Sequence, residues 1–587
     1  MDYALKTPET GSQRQTLASA WRALAPLLGQ ERRNIAIAIG CVTVTTGANL
    51  LGPVITAHIL DSAVRIKDYG LLLRYVGFLA AVYLVGLCTS YVQTMRMGTV
   101  GRNVLYKLRN ALFTQLSRLP IAFFSQNRAG DLISRVNGDT EKINQFFAQA
   151  LMQMFGNLFL VVGAGILLLS LNWKMGAIAL VPALVMLIVT QALSPWVKRA
   201  NRKGLDSIGA LSADVSESLA NFQVILAFNR LDYFRQKFDA ANQRNYRDQI
   251  AAGVASGLFT PLYTLAGSAA QILVLALGVW LIAHGQFTFG LLVGYLIYVT
   301  SFYNPLRQLA TVWSSLQQMT AAMDRVSEVL NLDNDLVQVP DAPAGGAGHL
   351  LAFDHVGFHY PGGKPVLADV SLTLERGRTY ALVGPTGGGK TTTAMLMARL
   401  YDPTSGAVYL DGRDIRGFTA EERAKRIGFI LQDPFLLSGT VRDNIVYGHA
   451  TLAELSEEDL SRKMAEQGLS GFLARFGEAG LATPVKGAGD GLSLGQKQLV
   501  AFLRAVLREP EILILDEATA NIDTVTEQML EEVLAKLPKA TTKVIIAHRL
   551  NTIQNADEIF FVGGGALTAA GSMDHAMGLL LSHERTS

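Results

Sequence analysis

Six long apolar runs occupy the first 320 positions of the chain, near 34–60, 71–95, 147–171, 175–195, 254–283 and 288–315. A bilayer core about 30 Å thick takes roughly 20 apolar helical residues, so this pattern predicts six membrane-spanning helices. The connections after the first, third and fifth runs are very short, whereas those after the second and fourth are long and basic. The first of these carries Arg96, Arg102, Lys107, Arg109, Arg118, Arg128, Arg135 and Lys142; the second carries Lys198, Arg199, Arg202, Lys203, Arg230, Arg235, Lys237, Arg244 and Arg247. Basic loops are retained on the cytoplasmic side of a membrane, which orients the chain. Apolar residues at helical spacing, as in Leu112, Phe113, Leu116 and Leu119, predict that these loops continue as helices beyond the membrane.

The pattern changes after the sixth run. Asn331 to Leu350 holds Asp333, Asp335, Pro340, Pro343 and a Gly-rich stretch through Gly345, Gly346 and Gly348, the composition of a linker. Beyond it, short strand-like runs (380–383, 512–515, 543–546) alternate with longer helical patterns, the rhythm of an α/β domain with helices covering a sheet. The expected organisation is an N-terminal cytoplasmic segment with an elbow helix (1–33), an all-α transmembrane domain (34–320), a linker (321–349) and an α/β P-loop nucleotide-binding domain (350–587).

Composition sharpens this division. The 587 residues are 50% hydrophobic and 17% charged, too apolar for a uniformly soluble protein of this size. A net charge of +3, with no long basic run interleaved with aromatics, excludes nucleic acid as a partner. Cys41 and Cys88 fall inside apolar runs with no second ligand nearby, so neither a disulfide framework nor a metal site is expected. The first 30 residues lack a short apolar core followed by a small-residue cleavage site, so no cleavable signal is expected.

The candidate chemistry lies in the second half. Gly384, Pro385, Thr386, Gly387, Gly388, Gly389, Lys390 and Thr391, followed by Thr392, place a Gly-rich turn between a strand-like run and a helical pattern at the spacing of a phosphate-binding loop. Glycines let consecutive backbone N–H groups close on phosphate oxygens at a helix N-terminus, a Lys adds charge at the terminal phosphates, and a Thr hydroxyl can ligate Mg2+. A second motif is the apolar strand Ile512 to Leu515 ending in Asp516 and Glu517, where one acid can hold a magnesium shell and the next can polarise water.

With these motifs in place, residues 350 to 575 resemble the nucleotide-binding domain of an ATP-binding-cassette transporter, and the whole chain is similar to an exporter-type half-transporter. Leu492, Ser493, Leu494, Gly495 and Gln496 resemble the family signature, which implies that Ser493, Gly495 and Gln496 reach nucleotide held by a second subunit. The resemblance further implies that Tyr360 stacks on adenine, that Gln432 senses Mg2+ and the γ-phosphate, that Asp523 links the two ATP sites and that His548 contacts the γ-phosphate. Residues 123–131 with Arg135 and Asp139 resemble the first intracellular loop, whose short transverse helix docks on the ATPase, and Glu217 to Arg230 resemble the second. The implied fold is a six-helix transmembrane domain of the type I exporter (type IV transporter) kind fused to the ATPase, in the cell membrane with the ATPase cytoplasmic. ATP and Mg2+ are the implied cofactors, with Thr391, Gln432 and Asp516 as metal residues and Glu517, His548, Gln432 and Lys390 as the catalytic set.

Two departures stand out. Leu494 replaces the commoner Gly of the signature, and Lys486 and Gly487 replace a Gly-Glu pair that exporters usually carry before it. The second departure resembles chains that pair with a non-identical partner, so a heterodimer is expected ahead of a homodimer. The spans offer scattered polar groups (Thr43, Thr46, Asn49, Tyr91, Asn157, Gln271, Tyr295, Tyr298, Asn304) and hardly any central charges, which points to an amphipathic small molecule, lipid or peptide-like metabolite. These polar groups could equally join helices. No motif records direction, so an importer of a siderophore-like compound and a lipid flippase stay open.

Overall fold

The computed structural model describes residues 3–5, 29–64, 68–334, 336, 338–339, 344–346, 348–432, 434–489, 491–516, 524–546, 553, 555–571, 575–576 and 578–579. The chain divides into two compact units: Leu5–Ser117 with Ala129–Asn331, and Arg118–Arg128 with Leu332–Ser587 and the N-terminal Tyr3 and Ala4.

The first unit is helical. Its long elements are α1 (Arg32–Ser62), α2 (Tyr69–Leu116), α4 (Ala129–Leu171), α5 (Trp173–Ala220), α7 (Leu231–Ala283) and α8 (Phe289–Leu330); α6 (Phe222–Ala227) is a single short turn, and α3 (Ile121–Gln126) belongs to the second unit. Among the described residues, these six are the helices long and apolar enough to cross a membrane. The 48 residues of α2 and of α5 each extend about 70 Å at 1.5 Å per residue, more than twice a bilayer core, so the basic loops are helical continuations of the spans. Leu73, Phe78, Leu84 and Leu87 stand exposed on α2, the surface that lipid would cover. The linker expected from 321 begins later, because Val326 and Val329 carry the buried face of α8 on to Leu330.

Polar side chains cap and join these helices. Asn172 Oδ1 accepts from the Lys174 and Met175 amides and closes the turn between α4 and α5, and Thr288 Oγ1 accepts from Leu291 N at the start of α8. A Cβ at Gly290 would lie 2.2 Å from the Ala57 carbonyl oxygen, so glycine is what allows α8 to lie against α1 there. Tyr295 donates to Leu168 O at 2.7 Å, Tyr298 to Leu50 O and Tyr303 to Ala179 O at 2.9 Å, so three buried phenols of α8 reach α4, α1 and α5. The joining role therefore describes Tyr295 and Tyr298. Towards the C-terminal end of α8, Arg135 pairs with Glu328 at 2.7 Å, and Arg325 with Lys142 brackets the buried Asp139.

The second unit is α/β. A four-stranded antiparallel sheet runs in the order β2 (Pro365–Leu374), β1 (Leu351–His359), β4 (Ser405–Leu410), β5 (Arg413–Asp414). A six-stranded sheet has the order β12 (Ala566–Ala569), β11 (Glu558–Gly563), β3 (Thr379–Val383), β10 (Thr542–Ile546), β9 (Ile512–Asp516), β6 (Ile427–Ile430), parallel except for β12. A small ribbon pairs β7 (Gly439–Thr440) with β8 (Pro484–Val485). Every residue of β9 is buried, which is why this strand reads as an unbroken apolar run rather than an alternating one.

Candidate functional site

Four neighbouring parallel strands, β3, β10, β9 and β6, deliver the predicted site residues to one edge of the sheet. β3 runs into the Gly-rich loop, β9 ends on Asp516 and β6 is followed by Gln432. In an open α/β sheet the carboxyl ends of the strands are where ligands bind. Glu517, Asp523 and His548 lie outside the described residues; β10 ends two positions before His548.

The loop itself leans on β11. Gly384 has φ 149°, and a Cβ there would sit 2.1 Å from the Val562 carbonyl oxygen, so a side chain would force the loop off the sheet. Gly389, at φ 106°, is the N-cap of α9 (Lys390–Met397), whose first turn is fastened by Thr393 Oγ1 donating to Gly389 O at 2.9 Å. The buried Lys390 arches over the loop, its Nζ donating to Gly384 O at 2.9 Å and Pro385 O at 3.0 Å. Thr391 Oγ1 donates to Asp516 Oδ1 at 3.3 Å. The two motifs, far apart in sequence, thereby present two hard oxygen groups side by side.

That pair suits Mg2+. Magnesium keeps several waters and binds through one or two protein oxygens plus substrate phosphates, so a hydroxyl and a carboxylate beside a phosphate loop are a sufficient protein contribution. Gln432 is exposed on the loop after β6. Among the described residues no cluster of three or more His, Cys, Asp or Glu could form an all-protein metal cage.

Tyr360 is joined to the loop's helix by a hydrogen bond between its hydroxyl and Thr392 Oγ1 at 3.0 Å, and burial holds its phenol above the ordinary tyrosine value. Its ring meets Phe358 and Tyr401 edge-on, with centroids 5.0 and 5.5 Å away. Sequence reasoning passed over Tyr401. Its hydroxyl shares a 3.3 Å hydrogen bond with Ser125 of α3, so the predicted adenine-stacking residue and the transverse helix touch the same side chain. A cavity of about 420 Å³ beside this contact is lined by Tyr3, Pro120, Ala122, Phe358 and Tyr401 among others. Tyr3 fastens α3 from the other side, donating its amide to Gln126 Oε1 and accepting from Asn127 Nδ2, each at 2.9 Å.

The signature residues open a different helix, α10 (Leu494–Val506). Ser493 and Gln496 form a reciprocal capping box: Ser493 Oγ accepts from Gln496 N at 3.2 Å and Gln496 Oε1 accepts from Ser493 N at 2.8 Å. Gln496 Nε2 also donates to Arg475 O at 2.7 Å. Among the described residues, no hydrogen bond of Ser493 or Gln496 reaches the phosphate loop of the same chain.

Comparison with known proteins agrees with both halves. The family model described as the ABC transporter transmembrane region matches residues 35–306, and the ABC transporter model matches residues 367–520. An uncharacterized ABC transporter ATP-binding protein, YknV of Bacillus subtilis, is 30% identical over 95% of this chain and 92% of its own length. A fatty acid ABC transporter ATP-binding/permease protein of Mycobacterium tuberculosis is 31% identical over 86% of this chain and 79% of its own. A multidrug resistance ABC transporter ATP-binding and permease protein of Lactococcus lactis is 28% identical over 84% and 83%.

Proposed function

The chain belongs to the ATP-binding-cassette transporters, with six membrane-crossing helices and a cytoplasmic ATPase domain on one polypeptide, and on that premise we propose that it exports an amphipathic small molecule, lipid or peptide-like metabolite. ATP binding, and its hydrolysis coupled to exporter-type transport, come with membership of the family. The observation that carries the site assignment is the Thr391–Asp516 contact at the mouth of the phosphate loop.

In this reading Thr391 and Asp516 hold Mg2+ with Gln432 beside them, and the bound ion supplies charge neutralisation at the phosphates. Lys390 swings from the Gly384 and Pro385 carbonyls to the terminal phosphates, Tyr360 stacks on the base, Glu517 takes the proton of the attacking water, and His548 orients the γ-phosphate. Asp523 connects this site to the one across the interface.

The transporter works as a dimer of halves. The capping box that Ser493 and Gln496 form supports a signature that serves nucleotide on another chain, since among the described residues none of its hydrogen bonds is directed at the site of its own. Exposed Phe222, Val224 and Leu226 on α6, with Phe228 just beyond, give a second chain an apolar surface to cover. Lys486 and Gly487 favour a non-identical partner. Reconstitution of the chain, alone and with a candidate partner, in vesicles whose ATPase domains face outward tests the direction. ATP-dependent accumulation of an amphipathic probe in the lumen is the expected result, and ATP-dependent depletion of the lumen would make the protein an importer.

A further inference from the structure

We infer that α7 and α8 together form a subsite for the anionic headgroup of a single-chain amphipath, with Arg307 as its counter-ion. The inference rests on the transporter reading and narrows its substrate class. Thr264, Ser268 and Gln271 recur on α7 at positions i, i+4 and i+7; Thr300, Asn304 and Arg307 recur on α8 at the same spacing. All six line one cavity of about 160 Å³. Two polar stripes at helical period, meeting on helices whose neighbouring residues are apolar, form one built groove.

Depth locates this groove in the membrane. From the start of α8 at Phe289, Thr300 lies about 17 Å and Arg307 about 27 Å along the axis, so the groove runs from near the midplane to the inner edge of a core about 30 Å thick. Polar groups turned to hydrocarbon are costly, and an ionisable residue in a span marks a functional path by default. An arginine that merely reaches for the interface needs no polar company, whereas Arg307 ends a stripe two helices wide.

The engaged and unengaged groups separate cleanly. Gln271 Nε2 donates to Thr300 Oγ1 at 3.0 Å and Thr264 Oγ1 donates to Thr260 O at 2.9 Å, which ties up the walls. Among the described residues, the side chains of Ser268, Asn304 and Arg307 have neither hydrogen bond nor ion pair, so a hydroxyl, an amide and a guanidinium line the cavity with donors to spare. One cation and no acid in the lining match a single negative charge, and a guanidinium binds a carboxylate in a bidentate fork. The volume is well under the roughly 300–1,000 Å³ of sites that enclose a whole drug-sized ligand, so it takes a headgroup and leaves the hydrocarbon chain outside.

The test is equilibrium binding of radiolabelled oleate to the full chain in phosphatidylcholine nanodiscs, with empty nanodiscs subtracted. Arg307→Gln should weaken oleate binding about tenfold, Arg307→Lys, which keeps the charge and loses the fork, should recover only part of it, and oleyl alcohol should bind the wild type no better than oleate binds Arg307→Gln. Asn304→Leu, which keeps the cation, should weaken oleate by a smaller factor. Equal oleate affinity of the wild type and Arg307→Gln overturns the subsite, as does oleyl alcohol matching oleate. Phosphatidylglycerol competing as well as oleate overturns the single-chain assignment. Mg2+-ATP binding by the wild type in the same nanodiscs reports separately on the transporter reading, so loss of nucleotide binding there is distinguishable from loss of anion selectivity.

Discussion

Thr391 and Asp516 touch across 3.3 Å although their strands, β3 and β9, are separated in the sheet by β10. The Gly-rich loop carries the start of α9 over that intervening strand, and Asp516, buried at the end of β9, accepts the Thr391 hydroxyl. In the proposed site Thr391→Val takes away a metal-directed oxygen and Asp516→Asn takes away the carboxylate charge. Thr391→Val and Asp516→Asn should each lower Mg2+-dependent kcat for ATP by about 100-fold or more. Phosphate release in proteoliposomes checks this, and wild-type turnover in either variant would remove the pair from the site.

Glu517→Gln should keep ATP binding and lose turnover by about 100-fold to 10,000-fold, the usual contribution of a general base. Nucleotide retention on the purified variant, measured beside phosphate release, separates the two effects.

Asp139 is 2% exposed and is bracketed by Arg325 and Lys142, with Arg325 Nε at 2.6 Å. Asp139→Ala leaves a small buried gap beside two cations that are 28% and 44% exposed and can rehydrate, so it costs about 1–2 kcal/mol rather than the full penalty of a broken buried pair. The apparent unfolding midpoint of the full chain should fall by several degrees. Lys425→Ala, which breaks the fully exposed pair with Glu421, should leave the midpoint where it is.

Glu511 accepts from Arg426 at 2.6 and 2.9 Å and from Arg376 at 2.7 Å, and these guanidinium groups hold its carboxyl below the ordinary glutamate range. Asp411, bonded to the same two arginines, is held low chiefly by Arg376. A carboxylate with a depressed folded pKa stabilises fully above its unfolded value, about 4.3 for glutamate, and loses that contribution as pH falls through the folded value. The gap in unfolding midpoint between wild type and Glu511→Gln should be constant from about pH 5 to pH 7 and close progressively below about pH 4. A gap that widens on acidification would reverse the assignment.

Gln496→Ala should remove half of the capping box that presents the signature, lower stability by about 1 kcal/mol and raise KM for ATP of the assembled dimer severalfold. An unchanged KM beside the lost stability would confine Gln496 to the helix cap.

The spans were legible because lipid imposes one requirement, apolar length, that composition records directly. The phosphate loop was legible because its glycines answer to backbone geometry, as at Gly384 against Val562. Less visible were features that arise only when helices choose their register. Arg307 lies inside the sixth apolar run with no motif to mark it, and only the packing of α7 on α8 aligns it with Ser268 and Asn304. Tyr401 carries no motif at all, since its meaning comes from Tyr360 on one side and Ser125 on the other. Gln496 had a local signature, Ser-x-x-Gln ahead of an apolar helix, that predicts a capping box from sequence; the family resemblance directed the reading of Ser493 and Gln496 to nucleotide and left this local role unread.

The three phenols of α8 have a mechanical consequence. Tyr295, Tyr298 and Tyr303 fasten one helix to the backbones of three others, at different azimuths and different heights. Spinning α8 about its own axis would shear all three fastenings together, whereas hinging it along with α1, α4 and α5 would shear none. The drive shaft of this pump is therefore splined: it transmits a stroke by tilting with its bearings, and it cannot slip by turning inside them.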